Sequence, residues 1–167
     1  PTILSGIQYF HNLGATAIQI FAGPSQSSSI TAKQKVSIDE AKQIREYIQS
    51  TGIKLVIHAI YTLNLCAFPA KSMRIKYAQD NLIYDIELAQ RIGAFAVVVH
   101  TGSAVTLPQD EAYNNIASNI KAVLAATAST APDVILCLET AAGQGTQIAT
   151  DLDGLAKLWN LCGAGAR

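Results

Sequence analysis

Val134-Ile135-Leu136-Cys137-Leu138-Glu139 is an apolar run that stops on a carboxylate. Two further runs have the same form and stop on histidine: Ile53-Lys54-Leu55-Val56-Ile57-His58 and Phe95-Ala96-Val97-Val98-Val99-His100. Short runs of this kind, rich in β-branched residues, read as strands covered on both faces, as in a parallel sheet. In a closed barrel of parallel strands the C-terminal strand ends converge on one rim, where active sites are built. Residues far apart in sequence can therefore meet around one ion, and two imidazoles with a carboxylate are a ligand set of catalytic rather than structural zinc.

Helical patterns separate these runs, so the chain reads as consecutive βα units. A first strand is expected over Thr16 to Phe21, entered from a helix that Gly14 stops. Pro24 to Ser29 is a polar loop, and Ser37 with Glu40 spells a capping box for a helix that runs towards Ser50 and ends at Gly52. After the His58 strand comes a loop from Tyr61 to Pro69, then a long helix carrying Ile75, Ala78, Leu82, Ile86 and Ala89 at spacings of three and four, closed by Gly93. Ala112, Ile116, Ile120 and Val123 mark a third helix, which leads through Pro132 into the Glu139 strand. Leu155, Leu158 and Trp159 mark a last helix, which stops at Gly163.

The 167 residues are half hydrophobic and 14% charged, which describes a globular chain able to bury a core. Twelve Lys and Arg balance twelve Asp and Glu, so no global field marks a nucleic-acid binder, and any such contact rests on a local face. Cys66, Cys137 and Cys162 have neither zinc-knuckle nor redox spacing and read as buried free thiols of a reducing compartment. Neither a signal peptide nor a transmembrane-length run appears, so the expected compartment is intracellular, cytoplasm or nucleus. The chain opens on Pro1 rather than Met, and part of the natural N-terminus is expected to lie outside it.

An eight-unit barrel takes about 250 residues, or ~31 per unit, so this chain supplies about four to five βα units of one. Residues 1–167 are accordingly read as a single partial barrel domain. His58, His100 and Glu139 follow one another at intervals of about 40 residues, as expected if each comes from the next unit. Adjacent strands lie about 4.8 Å apart, a gap that both side chains can span to reach a shared ion. Glu139 is the sharpest case, because a carboxylate buried at the end of an apolar strand costs several kcal/mol unless a cation or donors neutralise it. His11 lies near the end of the first helix, where capping or solvent exposure is the expected role.

With these residues in view, the sequence resembles the endonuclease IV family of apurinic/apyrimidinic (AP) endonucleases. Three blocks carry the match: His58-Ala59-Ile60-Tyr61-Thr62-Leu63-Asn64-Leu65, Val99-His100-Thr101-Gly102-Ser103, and Leu138-Glu139-Thr140-Ala141-Ala142-Gly143-Gln144-Gly145. The resemblance extends over nearly the whole chain. It implies an α/β fold, a TIM (β/α)8 barrel whose opening strand precedes this chain and whose later strands follow it.

The resemblance also implies function: a zinc-dependent hydrolase of base excision repair that cuts the phosphodiester 5′ to an abasic site in double-stranded DNA. His58, His100 and Glu139 inherit metal-ligand roles, with Glu139 bridging to a second ion of a cluster of up to three zincs and counted as catalytic. The remaining ligands are expected on later strands. Tyr61 matches a tyrosine on a recognition loop that opens the duplex at the lesion. Gln26, in Gly23-Pro24-Ser25-Gln26, stands where bacterial members often carry a DNA-contacting arginine. Asn64 and Ser103 read either as phosphate or ligand-supporting partners or as caps of the local backbone. Gln144 lies between two glycines that let a DNA backbone approach closely or simply make a turn. Neither a membrane nor a protein partner is implied.

Two other readings stand beside this one. Xylose-isomerase-like sugar isomerases and epimerases place carboxylates and histidines at the same rim around divalent metals, and fold alone does not separate them. The chain can also be a non-catalytic fragment or binding scaffold.

Overall fold

The structure is a computed structural model that describes residues 2–27, 29, 33, 35–67 and 72–163. Of the expected polar loops, Pro24 to Ser29 is described except at position 28 and Tyr61 to Pro69 through position 67; the other positions lie outside the described residues. In chain order the elements are α1 (Ile3–Asn12), β1 (Ala17–Phe21), α2 (Ile38–Thr51), β2 (Lys54–His58), α3 (Met73–Ile92), β3 (Ala96–His100), α4 (Gln109–Thr127), β4 (Ile135–Glu139) and α5 (Leu152–Cys162). The four strands form one parallel sheet in the order β1-β2-β3-β4, so each strand lies beside the next in sequence. This is the α/β architecture of a barrel segment.

Local chemistry starts the helices, at Ser37 as the capping box predicts and at three further caps that the structure adds. The hydroxyls of Thr2, Ser37 and Ser72 accept from the amides of Ser5, Glu40 and Ile75, and the Asp151 carboxylate accepts from Gly154. Each satisfies an amide that the first turn leaves without an intrahelical partner. Gly93 ends α3 at φ +79, and a Cβ there would lie 3.0 Å from Arg45 Cγ and 3.1 Å from Ile48 Cδ1. Backbone conformation and the close approach of α2 both require glycine at that turn.

The core lies between the sheet and its helices. Leu55, Ile57, Val97 and Val99 from the strands are buried with Ile44 and Ile48 of α2, Ile116, Ile120 and Val123 of α4, and four of the five α3 positions read from helical spacing. Ala78, the fifth, is packed against the core but only partly buried. Trp159 departs from expectation: it is 47% exposed, while Leu158 takes the buried position on α5. β4 is the last strand in the described sheet, which leaves Ile135 48% exposed. No described helix is long and apolar enough to cross a membrane.

Register places the functional strand ends at one rim. Phe21 pairs with His58 across β1 and β2, and His100 pairs with Glu139 across β3 and β4. His58 pairs with Val98, two residues before His100, so both imidazoles project from the same side of the sheet.

Candidate metal centre

His58 ends β2 with its ring 4% exposed. Its Nδ1 lies 2.5 Å from the Ala59 carbonyl, which can only accept, so Nδ1 carries a proton, and in the neutral ring Nε2 keeps its lone pair. That Nε2 lies 3.2 Å from Glu139 Oε2, and His100 Nδ1 lies 3.7 Å from the same oxygen. One ligand atom from each of the three residues falls within 4.8 Å of the other two. Bonds of ~2.1 Å in a tetrahedron separate neighbouring ligand atoms by about 3.4 Å, a value bracketed by the two measured edges.

The donor set fits a divalent metal ion on chemistry as well as spacing. In the neutral ring the Nε2 lone pair faces the Glu139 oxygen, and one metal ion between them would serve all three groups at once. The expectation of a buried Glu139 is corrected: its side chain is 46% exposed at the end of β4, the last strand of the described sheet. Geometry, rather than desolvation of the carboxylate, supports the ligand set.

An aromatic wall borders the imidazoles. The Tyr61 ring centroid lies 5.2 Å from that of His58, 6.0 Å from His100 and 5.2 Å from Phe21, and Phe21 lies 5.1 Å from His58. Tyr61 is nonetheless 53% exposed, so one side of the ring remains available to a ligand. Its backbone N–H donates to Ser25 O at 2.9 Å, tying the loop after β2 to the loop after β1.

The other rim loops are laced together. Asn64 accepts from the amides of Cys66 at 3.0 Å and Ser103 at 3.2 Å, and its Nδ2 donates to Ser103 O at 2.9 Å. Ser103 Oγ meets Thr146 Oγ1 at 2.7 Å, and Ser103 forms an antiparallel bridge with Gln147. Thr101, fully buried, donates through Oγ1 to Ile148 O at 2.6 Å. Between these loops opens a cleft of about 390 Å³ whose lining includes Tyr61, Asn64, His100, Ser103 and Gln147.

The structure thus brings His58, His100, Glu139 and Tyr61 together, with Asn64 and Ser103 along the adjoining cleft. Both polar atoms of the Asn64 amide are engaged by the backbone, the second of the two roles read from sequence. Gln26 and Gln144 are exposed on their loops, and the Gln144 amide donates to Gln147 Oε1. His11 neither caps nor faces solvent freely: its Nδ1 lies 2.8 Å from Tyr47 Oη, in a half-buried pair between α1 and α2. Cys66 and Cys162 are buried as expected, whereas Cys137 is only half-buried. Phe21 joins the site without having been expected there; it ends β1 as His58 ends β2, but without a ligand atom to mark it.

Known proteins share this architecture. A family profile described as a xylose isomerase-like TIM barrel matches residues 7–164. A putative endonuclease 4 of Acanthamoeba polyphaga mimivirus is 32% identical over 162 residues, spanning 93% of this chain and 49% of that protein. The crystal structure of endonuclease IV from Thermus thermophilus superposes with a TM-score of 0.72 at 28% identity, over 93% of this chain and 53% of that one. A D-tagatose 3-epimerase-like protein superposes with a TM-score of 0.70 over 94% of this chain and 56% of its own, but at 16% identity it shows the fold alone. The chain spans about half the length of these relatives. It belongs to the xylose isomerase-like TIM barrel family, and within that family the likeness to endonuclease IV read from its sequence is the one its relatives bear out.

Proposed function

We propose that the protein is a zinc-dependent nuclease of base excision repair that hydrolyses the phosphodiester 5′ to an abasic site in double-stranded DNA, with residues 1–167 contributing a single partial barrel domain. One observation carries the reading: His58, His100 and Glu139 present ligand atoms within 4.8 Å of one another at adjacent strand ends. The half-exposed Tyr61 ring beside both imidazoles supports a nucleic-acid substrate.

In this reading His58 and His100 hold zinc through nitrogen and Glu139 through Oε2. Zinc supplies Lewis acidity at the phosphate and a source of hydroxide near neutral pH. His58 keeps its proton on Nδ1, held by Ala59 O, so the ring cannot turn away. Tyr61 stacks into the space that the missing base leaves, and Gln26 and Gln144 meet the DNA from the neighbouring loops. Asn64 holds the cleft open by fixing the backbone at Ser103. An abasic nucleotide has no base to unpair or unstack, so drawing it to the rim costs less than extruding an intact one.

The test uses the full-length protein and a duplex carrying one abasic analogue. Incision should fall by more than about a hundredfold in Glu139→Ala and on chelation of zinc. Undiminished incision in either case contradicts the assignment, and turnover of ketoses without incision would select the isomerase reading.

A further inference from the structure

Lys33 and Asp85 form an ion pair deep in the protein. Lys33 Nζ lies 2.6 Å from Asp85 Oδ1, and the side chains are 2% and 0% exposed. Lys33 belongs to the connection between β1 and α2, whereas Asp85 is in the middle of α3. The Lys33 ammonium also lies 5.6 Å from the Tyr84 ring centroid. Burial raises the Asp85 carboxyl from 3.8 to about 6, against the opposing pull of the Lys33 charge and hydrogen bond and a smaller one from His58. Asp85 Oδ2 is buried without a hydrogen-bond partner among the described residues.

A buried pair with half its carboxylate unsatisfied is a poor source of stability, since apolar residues of similar volume often replace such pairs at no cost. What it provides is location, because a short, charge-assisted bond admits few geometries. Ser25, earlier in the same connection, provides the carbonyl that receives the Tyr61 N–H at 2.9 Å. Tyr61 in turn packs on His58.

We propose that Lys33 and Asp85 are positioning residues: their pair fastens the β1–α2 connection to α3 and thereby sets where Tyr61 stands over the two imidazoles. The consequence for substrate binding rests on the nuclease reading above.

The test compares the full-length wild type with Lys33→Met and with the double variant Lys33→Met/Asp85→Leu, which removes both charges and keeps the volume apolar. Three quantities are measured: the melting temperature, hydrogen exchange of the peptide containing the Tyr61 amide, and KM and kcat on abasic duplex. The double variant should melt within a few degrees of the wild type while the Tyr61 amide exchanges about tenfold faster. Its KM should rise about fivefold with kcat within about twofold. Wild-type exchange at Tyr61 in both variants overturns the proposal, as does accelerated exchange that is spread evenly over the fold with a matching loss of melting temperature. If the wild type does not cut abasic duplex, the repair reading falls, and the exchange measurement still decides the anchor.

Discussion

Gly102 stands so close to Asn64 that a Cβ on the glycine would lie 2.6 Å from the Asn64 side-chain oxygen. The same Cβ would meet Cys66 Sγ at 3.0 Å, and Gly102 adopts φ +83, a conformation that L side chains rarely take. Just past His100, the backbone is therefore shaped by an amide belonging to the preceding rim loop. Gly102→Ala should cost about 2–4 kcal/mol from strain and displacement of Asn64. Urea unfolding of the single variants and of Gly102→Ala/Asn64→Ala checks this. The double variant should cost less than the sum of its parts, and strict additivity would show that the two positions are not in contact.

Tyr61 offers a half-exposed ring beside the two imidazoles. Tyr61→Ala should weaken binding of a duplex carrying an abasic analogue by roughly 5- to 100-fold, the range of one lost stacking contact, with intact duplex little affected. Fluorescence anisotropy with both duplexes measures the difference. Equal weakening for the two would remove Tyr61 from lesion recognition.

The Asp85 carboxyl has a pH signature that its partner controls. In the wild type it stands at about 6, above the ordinary 3.8, so the fold favours its protonated form, and the stability from that proton is lost as pH rises through 6. Lys33→Met removes two of the causes that hold the value down, so Asp85 moves higher still and resists ionisation over a wider window. Above pH 6 the variant should therefore fall progressively below the wild type, by at most about 1.4 kcal/mol per pH unit, whereas below pH 6 the gap between the two should stay level. Denaturant titrations from pH 5 to pH 8 test the sign, and a constant gap would contradict it.

Cys66 is fully buried, its Sγ donates to Thr101 O at 2.8 Å, and burial pushes its thiol from 9.0 up to about 12. Because the thiolate is the reactive species, native protein at pH 8 should leave Cys66 unmodified by iodoacetamide. Peptide mapping before and after unfolding checks this, with labelling expected only after unfolding.

The strand ends were legible because the sheet is regular: a polar residue closing an apolar run has one rim to face, and register then brings His100 opposite Glu139. The start of α2 was legible for a similar reason, since Ser37 acts within three residues of itself; the Ser72 cap of α3 acts over the same distance but was not read. Phe21 was not distinguished because an apolar residue ending an apolar run carries no chemical mark. Lys33 and Asp85 lie 52 residues apart on elements whose packing the local pattern does not encode, so their pairing emerges only in three dimensions. Trp159 shows the limit of helical spacing, which locates a stripe but not its edge: Leu158 is buried and its neighbour is not. Glu139 shows the corresponding limit for strands, because an apolar run does not reveal how exposed the side chain that closes it is.

Whether His58, His100 and Glu139 hold one ion in common decides the functional reading. Anomalous diffraction at the zinc absorption edge, from crystals of the zinc-loaded full-length protein, answers that question. A peak is expected within about 2.0–2.2 Å of His58 Nε2, a His100 nitrogen and a Glu139 carboxylate oxygen. A zinc-loaded crystal whose peaks touch none of the three, or only one, would contradict it.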